Sequence, residues 1–302
     1  MSLELAVAAL ALGLAAAAPP PYFASETVVG HVHVAKTAGT SLNGLLASRY
    51  ERVCGHKGYS YDSYGANLRM AAGRKINGRL TAFDSISKIQ RGYHRERVPH
   101  RVMDEIGFED CDFISEEQDW RFWRRFEDWP LPLELHVPCR DPLDHLMSQC
   151  NYRRSTFNCV DASRSPESLA REVRRCLTFL RGPAMRRFAW DLLGLKNTRV
   201  KCYNFSDQFS RYLAHMDKVL QKKRIPAKFI RWETNRPRNV SNECVWSADR
   251  GLKHDVVTYL RDNYDYYGFC DACLNQHANG TLPLRTLEPT MRGRQRVVQS
   301  PP

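Results

Sequence analysis

The chain has 302 residues, of which 43% are hydrophobic, so it can bury a substantial core in one α/β domain, which excludes a disordered protein. Its 45 Lys and Arg outnumber its 33 Asp and Glu, and the formal net charge of +12 predicts an anionic partner such as nucleic acid, an acidic membrane or an acidic glycan. The ten cysteines are an even number and fit several structural disulfides, although their pairing cannot be deduced from the sequence.

Residues 1–21 have the character of a signal peptide or a short signal anchor. An Ala/Leu run from Leu3 to Ala18 precedes three prolines, and it is shorter than the span of about 20 apolar residues that a bilayer core requires. Glu4 stands where a basic residue is usual. We expect a single domain over 27–275 and a flexible Pro/Arg-rich tail over 276–302. Three N-x-[ST] sequons also indicate the secretory pathway, which excludes nucleic acid as the partner; they lie at Asn204, Asn239 and Asn279.

The segment 28–34 alternates apolar residues as a strand does, and a loop of small residues with one lysine follows it. Backbone N–H groups of such a loop can close around the oxygens of a phosphate or sulfate, and Lys36 adds a full positive charge. Leucines at 42, 45 and 46 predict a helix from about Thr40, with its positive end facing the same anion. The predicted anion-binding residues are Lys36, Thr37, Ala38, Gly39, Thr40 and Ser41.

Two nucleotide-binding patterns compete for this loop. Gly30 to Thr37 comes within one residue of the Walker pattern G-x-x-x-x-G-K-[ST], with Ala35 in place of the second glycine. That pattern needs its four middle residues in the loop, whereas His31 to Val34 read as strand. The alternative is K-T-x-G-T-S placed directly after a strand. His31 and His33 share one strand face and could form a metal pair, but hydrogen-bonded histidines are the preferred interpretation.

The middle of the chain supplies acidic and aromatic candidates. Cys111 to Ser115 read as a short strand, followed directly by Glu116 and Glu117. Residues 119–128 predict an amphipathic helix whose Trp120, Trp123 and Phe126 belong to the core.

A second strand and helix follow. Residues 133–139 read as a strand, and Arg140-Asp141-Pro142 then opens a helix, with Asp141 suited to cap its first amides. Arg140 leaves the strand end as a planar guanidinium suited to phosphate, and Ser148 lies two turns into the helix.

The two blocks together resemble the Golgi carbohydrate sulfotransferases, in particular the branch of the heparan sulfate and uronosyl 2-O-sulfotransferases. The resemblance implies an α/β fold in which a single P-loop-like domain has a mainly parallel sheet flanked by helices. It also implies 3′-phosphoadenosine 5′-phosphosulfate (PAPS) as cofactor and no metal. Lys36 and its loop would hold the 5′-phosphosulfate, and Arg140 and Ser148 the 3′-phosphate. The chain departs from many members at Ala38, where they have glycine, and at His145, where they have arginine.

The resemblance places the catalytic base between these two blocks. Glu116 and Glu117 fall where the 2-O-sulfotransferases have a catalytic histidine, and a glutamate can act as base when burial raises its pKa. His56, His94 and His100 are alternatives because histidine titrates near neutrality. The glutamates could also serve only as helix-capping charges.

The rest of the chain continues the alternation of strand and helix. We expect helices over 166–180, 183–193, about 207–224 and about 248–264, and a strand over 198–203, with Ser206 or Asp207 as a helix cap. Cys270 and Cys273 could be half a zinc site, but disulfides are favoured. Basic clusters that could be solvated helix faces are Arg121/Arg124/Arg125, Arg171/Arg174/Arg175, Arg186/Arg187 and Lys222/Lys223/Arg224.

The sequence therefore predicts a PAPS-dependent carbohydrate O-sulfotransferase of the secretory pathway, either a type II protein of the Golgi lumen or a secreted one. The expected acceptor is an acidic or neutral glycan. Two other classes stay open: a P-loop kinase for a small molecule or carbohydrate, which would need Mg²⁺, and a secreted non-catalytic glycan-binding protein.

Overall fold

The structure is a computed structural model that describes residues 26–50, 52–55, 108, 111–117, 120–152, 165–179, 192–220, 245–246, 249–275 and 285–286. The strands are β1 Val28–Val32, β2 Val53–Gly55, β3 Phe113–Glu116, β4 Leu133–Cys139, β5 Thr198–Asn204 and β6 Arg285–Thr286. The α-helices are α1 Gly39–Arg49, α2 Pro142–Tyr152, α3 Pro166–Phe179, α4 Phe205–Val219, α5 Arg250–Asn263 and α6 Asp265–Asn275. A 3₁₀ helix covers Trp120–Phe126.

The strands form one sheet in the order β2-β3-β1-β4-β5-β6. The first five are parallel, and β6 pairs antiparallel with β5. The predicted α/β class with a mainly parallel sheet is therefore confirmed. β1 lies between β3 and β4, so the chain leaves β1 toward one side of the sheet and later crosses to the other. Parallel α/β sheets bind ligands at the carboxyl ends of strands at such a switch point.

Strand β1 is buried on both faces, because its side chains point alternately into two core clusters. Val28 and Val32 enter the larger core cluster, whereas Val29 enters a smaller one with α1 and α4. Gly30 is required by packing, because a Cβ there would collide with Leu135 of β4 and with the Trp123 ring. The central strand is thus fixed tightly against its neighbours before the chain enters the loop.

Four disulfides join described elements, which confirms the predicted structural role of the cysteines. They pair Cys54 with Cys111, Cys139 with Cys270, Cys150 with Cys176, and Cys202 with Cys273. Two of them hold α6 to β4 and β5. Cys270 and Cys273 are each bonded to a cysteine of the sheet and are therefore not zinc ligands. Four disulfides fit an oxidising secretory or extracellular environment.

Several elements differ from expectation. The aromatic segment after β3 is a 3₁₀ helix, although Trp123 and Phe126 are buried in the core as predicted. The cap of α4 is Asn204, whose side chain accepts from the amides of Ser206 and Asp207, so the cap is not Ser206 or Asp207. α6 was not predicted as a helix. β6 lies within the segment expected to be a flexible tail.

Other predicted features lie outside the described residues: the segment 1–21, most of the helix 183–193, and the basic clusters at 186–187 and 222–224. Within the described residues, no helix is both long and apolar enough to cross a membrane. The same part of the chain contains no group of three or more His, Cys, Asp or Glu side chains that could hold a metal ion.

Candidate functional site

The loop between β1 and α1 has a backbone shape suited to an anion. Lys36 and Ala38 have positive φ angles, 66° and 57°, and Ala38 is the left-handed N-cap of α1. No side chain caps this helix, which begins just beyond the carboxyl end of β1, so no side chain satisfies the first-turn amides that lack partners within the helix. Loops with residues in this conformation form concave arrays of N–H groups that bind anions.

The loop is also fixed from within. Thr37 is buried, and its hydroxyl donates to the carbonyl oxygen of Val34 at 2.7 Å. A Cβ on Gly39 would collide with the imidazole of His33. Thr37 therefore closes the loop, and Gly39 permits the first turn of α1 to approach β1. Thr40 and Ser41, the other predicted members, lie in that first turn and are partly buried.

Arg140, directly after β4, joins this loop. Its Nη1 donates to the carbonyl oxygen of Lys36 at 2.6 Å. Its Nε is buried and has no hydrogen-bond partner within the described residues. The ring centroid of Phe205, the first residue of α4, lies 5.6 Å from the guanidinium carbon. Burial lowers the pKa of the Arg140 guanidinium. A buried charge of this kind is typical of a site that receives an anion.

Helix α2 begins at this edge as predicted. Asp141 Oδ1 accepts from the amides of Leu143 and Asp144 at 2.9 and 3.0 Å, which is the expected cap. Ser148 is partly buried one turn after His145. Tyr152 at the end of α2 is 62% exposed, and the Nζ of Lys36 lies 4.4 Å from its ring centroid. The two ends of α2 thus flank the loop.

The candidate bases follow β3, which is adjacent to β1. The carbonyl oxygen of Glu116 accepts from the amide of His33 at 3.0 Å, so the end of β3 touches the start of the loop. The side chain of Glu116 is fully buried, whereas Glu117 is partly exposed. Of the two, Glu117 is the more accessible to a substrate in this conformation. His56, His94 and His100 lie outside the described residues.

A row of polar side chains crosses the sheet beneath the loop. His31 contacts the hydroxyls of Ser115 and Tyr203, both at 3.2 Å, and His136 of β4 contacts Tyr212 and Glu134. Burial lowers the pKa of both His31 and His136, so both are neutral at physiological pH. These partners support the interpretation of His31 as a hydrogen-bonded core histidine.

The side chains that support the two predicted anion-binding elements were not predicted from the sequence. His145 contacts the loop, Tyr266 and Tyr267 reach this edge from α6, and Tyr152 lies beside Lys36. In the sequence, only the high density of aromatic residues in 264–269 hinted that this segment is buried against the site. His145 carried one signal, since it replaces an arginine of the resembling family.

Comparison with protein-family models, with curated proteins and with solved structures found no match to this chain.

Proposed function

We propose that this protein is a PAPS-dependent carbohydrate O-sulfotransferase. The observation that carries the proposal is the contact between Arg140 and the carbonyl of Lys36 at 2.6 Å. It unites two elements, each suited to an anionic group, at the carboxyl edge of a parallel sheet. PAPS carries two such groups, the 5′-phosphosulfate and the 3′-phosphate, and a site with two adjacent cationic elements suits it.

The residues present fit that nucleotide. The amides at the start of α1, with Lys36, would hold the 5′-phosphosulfate. The buried Nε of Arg140 offers a donor for the 3′-phosphate, and Ser148 would add its hydroxyl. Bound PAPS supplies the sulfuryl group, which passes to a glycan hydroxyl. Lys36 would neutralise negative charge at the bridging oxygen, which is the main electrostatic demand of such a transfer.

The acceptor hydroxyl must lose a proton as it attacks, and Glu116 or Glu117 would accept it. Both follow the strand adjacent to β1, and Glu117 is partly exposed. A base on this side of the loop is near the group that it must assist. We propose an acidic or neutral glycan as acceptor, in keeping with the net charge of +12, and the secretory pathway as location, in keeping with the four disulfides.

The test is transfer of radiolabelled sulfate from PAPS to a panel of glycosaminoglycans and smaller glycans. Lys36→Ala and Arg140→Ala should each lower kcat/KM for PAPS by at least about 100-fold, as loss of a charged transition-state contact does. Lys253→Ala and Arg171→Ala remove exposed cations from α5 and α3 and should retain activity. Full transfer by Lys36→Ala would refute this mechanism. Comparison of Glu116→Gln with Glu117→Gln identifies the base.

Phosphoryl transfer is the second candidate, and the position of one acidic residue favours it. Glu116 ends the strand next to β1, where a nucleotide kinase can place an acidic group that binds Mg²⁺. Such an enzyme would consume ATP, lose activity in a chelator and recover it with Mg²⁺. A sulfotransferase would be unaffected by the chelator. Binding of heparin without affinity for adenosine 3′,5′-bisphosphate would indicate a glycan-binding protein.

A further inference from the structure

His145 is a fully buried side chain of α2 that touches the anion-binding loop. Its Nε2 lies 2.7 Å from the carbonyl oxygen of Ala35, which can only accept a hydrogen bond, so Nε2 carries the proton. Its Nδ1 lies 3.1 Å from the hydroxyl of Tyr267 and therefore accepts from it. The tautomer is thus fixed from both sides. The side-chain amide of Gln149, one turn later on α2, lies 3.2 Å from the same Nε2, and it can accept from that N–H only through its oxygen.

The residue that receives this hydrogen bond directly precedes the left-handed residue Lys36. A left-handed conformation costs an ordinary side chain about 1–2 kcal/mol, so it persists only when the surroundings determine it. The carbonyl before Lys36 is held by His145, and the carbonyl of Lys36 itself is held by Arg140. These two bonds fix the peptide units on both sides of the lysine.

Helix α6, which carries Tyr267, is held firmly against the sheet. Tyr267 is buried in α6, and the two disulfides of α6 fasten it to β4 and β5. The neighbouring Tyr266 donates to the carbonyl of Pro138 at 2.6 Å and accepts from the amide of Arg140 at 3.1 Å. The hydrogen-bonded path from α6 to the loop therefore runs through Tyr267, His145 and Ala35.

We propose that His145, oriented by Tyr267, is a positioning residue that holds the loop in its anion-binding conformation. It acts on the ligand through the backbone at Ala35. The inference rests on the proposed function for the identity of the nucleotide, but the effect on the loop is independent of it.

The experiment combines three variants with two readouts. His145→Leu removes both hydrogen bonds, whereas His145→Gln places an amide N–H near the position of Nε2 and retains the donor. Tyr267→Phe removes only the hydroxyl that orients the ring and does not itself contact Ala35. The readouts are calorimetric binding of adenosine 3′,5′-bisphosphate and hydrogen exchange of the backbone amides in residues 35–42.

We expect His145→Leu to weaken nucleotide binding by tenfold or more and to speed exchange of the loop amides, since the partly buried carbonyl of Ala35 loses its donor. His145→Gln should restore most of the affinity. Tyr267→Phe should give an intermediate loss, and in transfer assays it should raise KM for PAPS more than it lowers kcat. Wild-type exchange and affinity in both His145→Leu and Tyr267→Phe would overturn the proposal.

Failure of the proposed function gives a different result. If the wild-type chain binds no adenosine 3′,5′-bisphosphate, the sulfotransferase assignment fails, and loop exchange in the same variants still decides whether His145 positions the loop. If His145→Leu does not fold, the exchange of Tyr267→Phe decides it, because accelerated exchange in the loop supports the proposal and unchanged exchange refutes it.

Discussion

Ala38 adopts a backbone conformation that favours glycine. Its φ of 57° lies in the left-handed region, which glycine adopts at no steric cost. Ala38→Gly should therefore stabilise the protein by about 0.5–1 kcal/mol, after the greater freedom of glycine in the unfolded chain is subtracted. The measurement is urea unfolding followed by circular dichroism.

The matched control is Ala214→Gly, in the exposed interior of α4. A glycine there should lower the free energy of unfolding by about 1 kcal/mol, because the helical conformation of Ala214 is unstrained and glycine is a poor helix former. If both variants lose stability equally, Ala38 is not strained in solution.

Part of the site could be predicted at the scale of residues. Lys36, Gly39 and Arg140 were identified because a strand followed by small residues, or by Arg-Asp-Pro, has a local pattern. The contacts of His145 with Ala35 and Tyr267 could not be predicted, since they join residues that are 110 and 122 positions apart in the sequence. Long-range hydrogen bonds leave no periodicity in the sequence.

At the scale of elements, the N-cap residue of α4 is both a helix cap and a glycosylation sequon asparagine. Asn204 is a sequon asparagine, and its Oδ1 accepts from the amides of Ser206 and Asp207 at 2.9 and 3.3 Å. Asn204→Ala should cost about 1 kcal/mol through loss of the cap, whereas Asn204→Ser should retain most of the stability. Thermal unfolding of unglycosylated protein measures the difference.

Both substitutions abolish the sequon, so glycosylation cannot explain a difference between them. Equal stability of the two variants would mean that the cap contributes nothing.

The sequence predicted β1, β4, β5, α1 and α2 well, because each has a clear period or a clear start signal. It missed α6 because Asp265–Asn275 is rich in tyrosine and cysteine and has little polar surface to define a helical face. The helix is buried through its tyrosines and through two disulfides, both of which are tertiary constraints. Local propensity is a weak guide to such a segment.

At the scale of the whole molecule, buried neutral histidines should make the fold sensitive to acid. Burial lowers the pKa of His31, His136 and His145, the last to about 4. Below about pH 6.5 the unfolded chain binds protons that the folded chain does not, so stability falls as the pH falls from 6.5 toward 4. His145 alone should account for about 2 kcal/mol between pH 7 and pH 5.

Glu134 does not contribute to the loss of stability between pH 7 and pH 5. Burial would raise its pKa, but the hydrogen bonds of His136 and Lys201 outweigh burial and lower the pKa to about 2. Its stabilisation is present above pH 4.5 and is lost only toward pH 2. Losses between pH 7 and pH 5 therefore report the histidines.

Urea unfolding at pH 7, 6 and 5 measures the effect. His145→Gln should be less stable at pH 7 and should show a flatter dependence on pH, whereas His254→Gln, on the exposed face of α5, should keep the wild-type slope. A wild-type slope in His145→Gln would contradict the assignment of a neutral buried imidazole.

The four disulfides differ in how much chain separates their cysteines, and this sets an order for maturation. Cys150 and Cys176 are 26 residues apart, whereas Cys139 and Cys270 are 131 apart. During synthesis Cys139 therefore meets other thiols well before its own partner exists, so thiol exchange must correct any early pair. Arg140 also gains Tyr266 only after α6 has been made. The carboxyl edge of the sheet, which we propose binds the nucleotide, is consequently completed only after α6 has been made, although its loop lies far earlier in the chain.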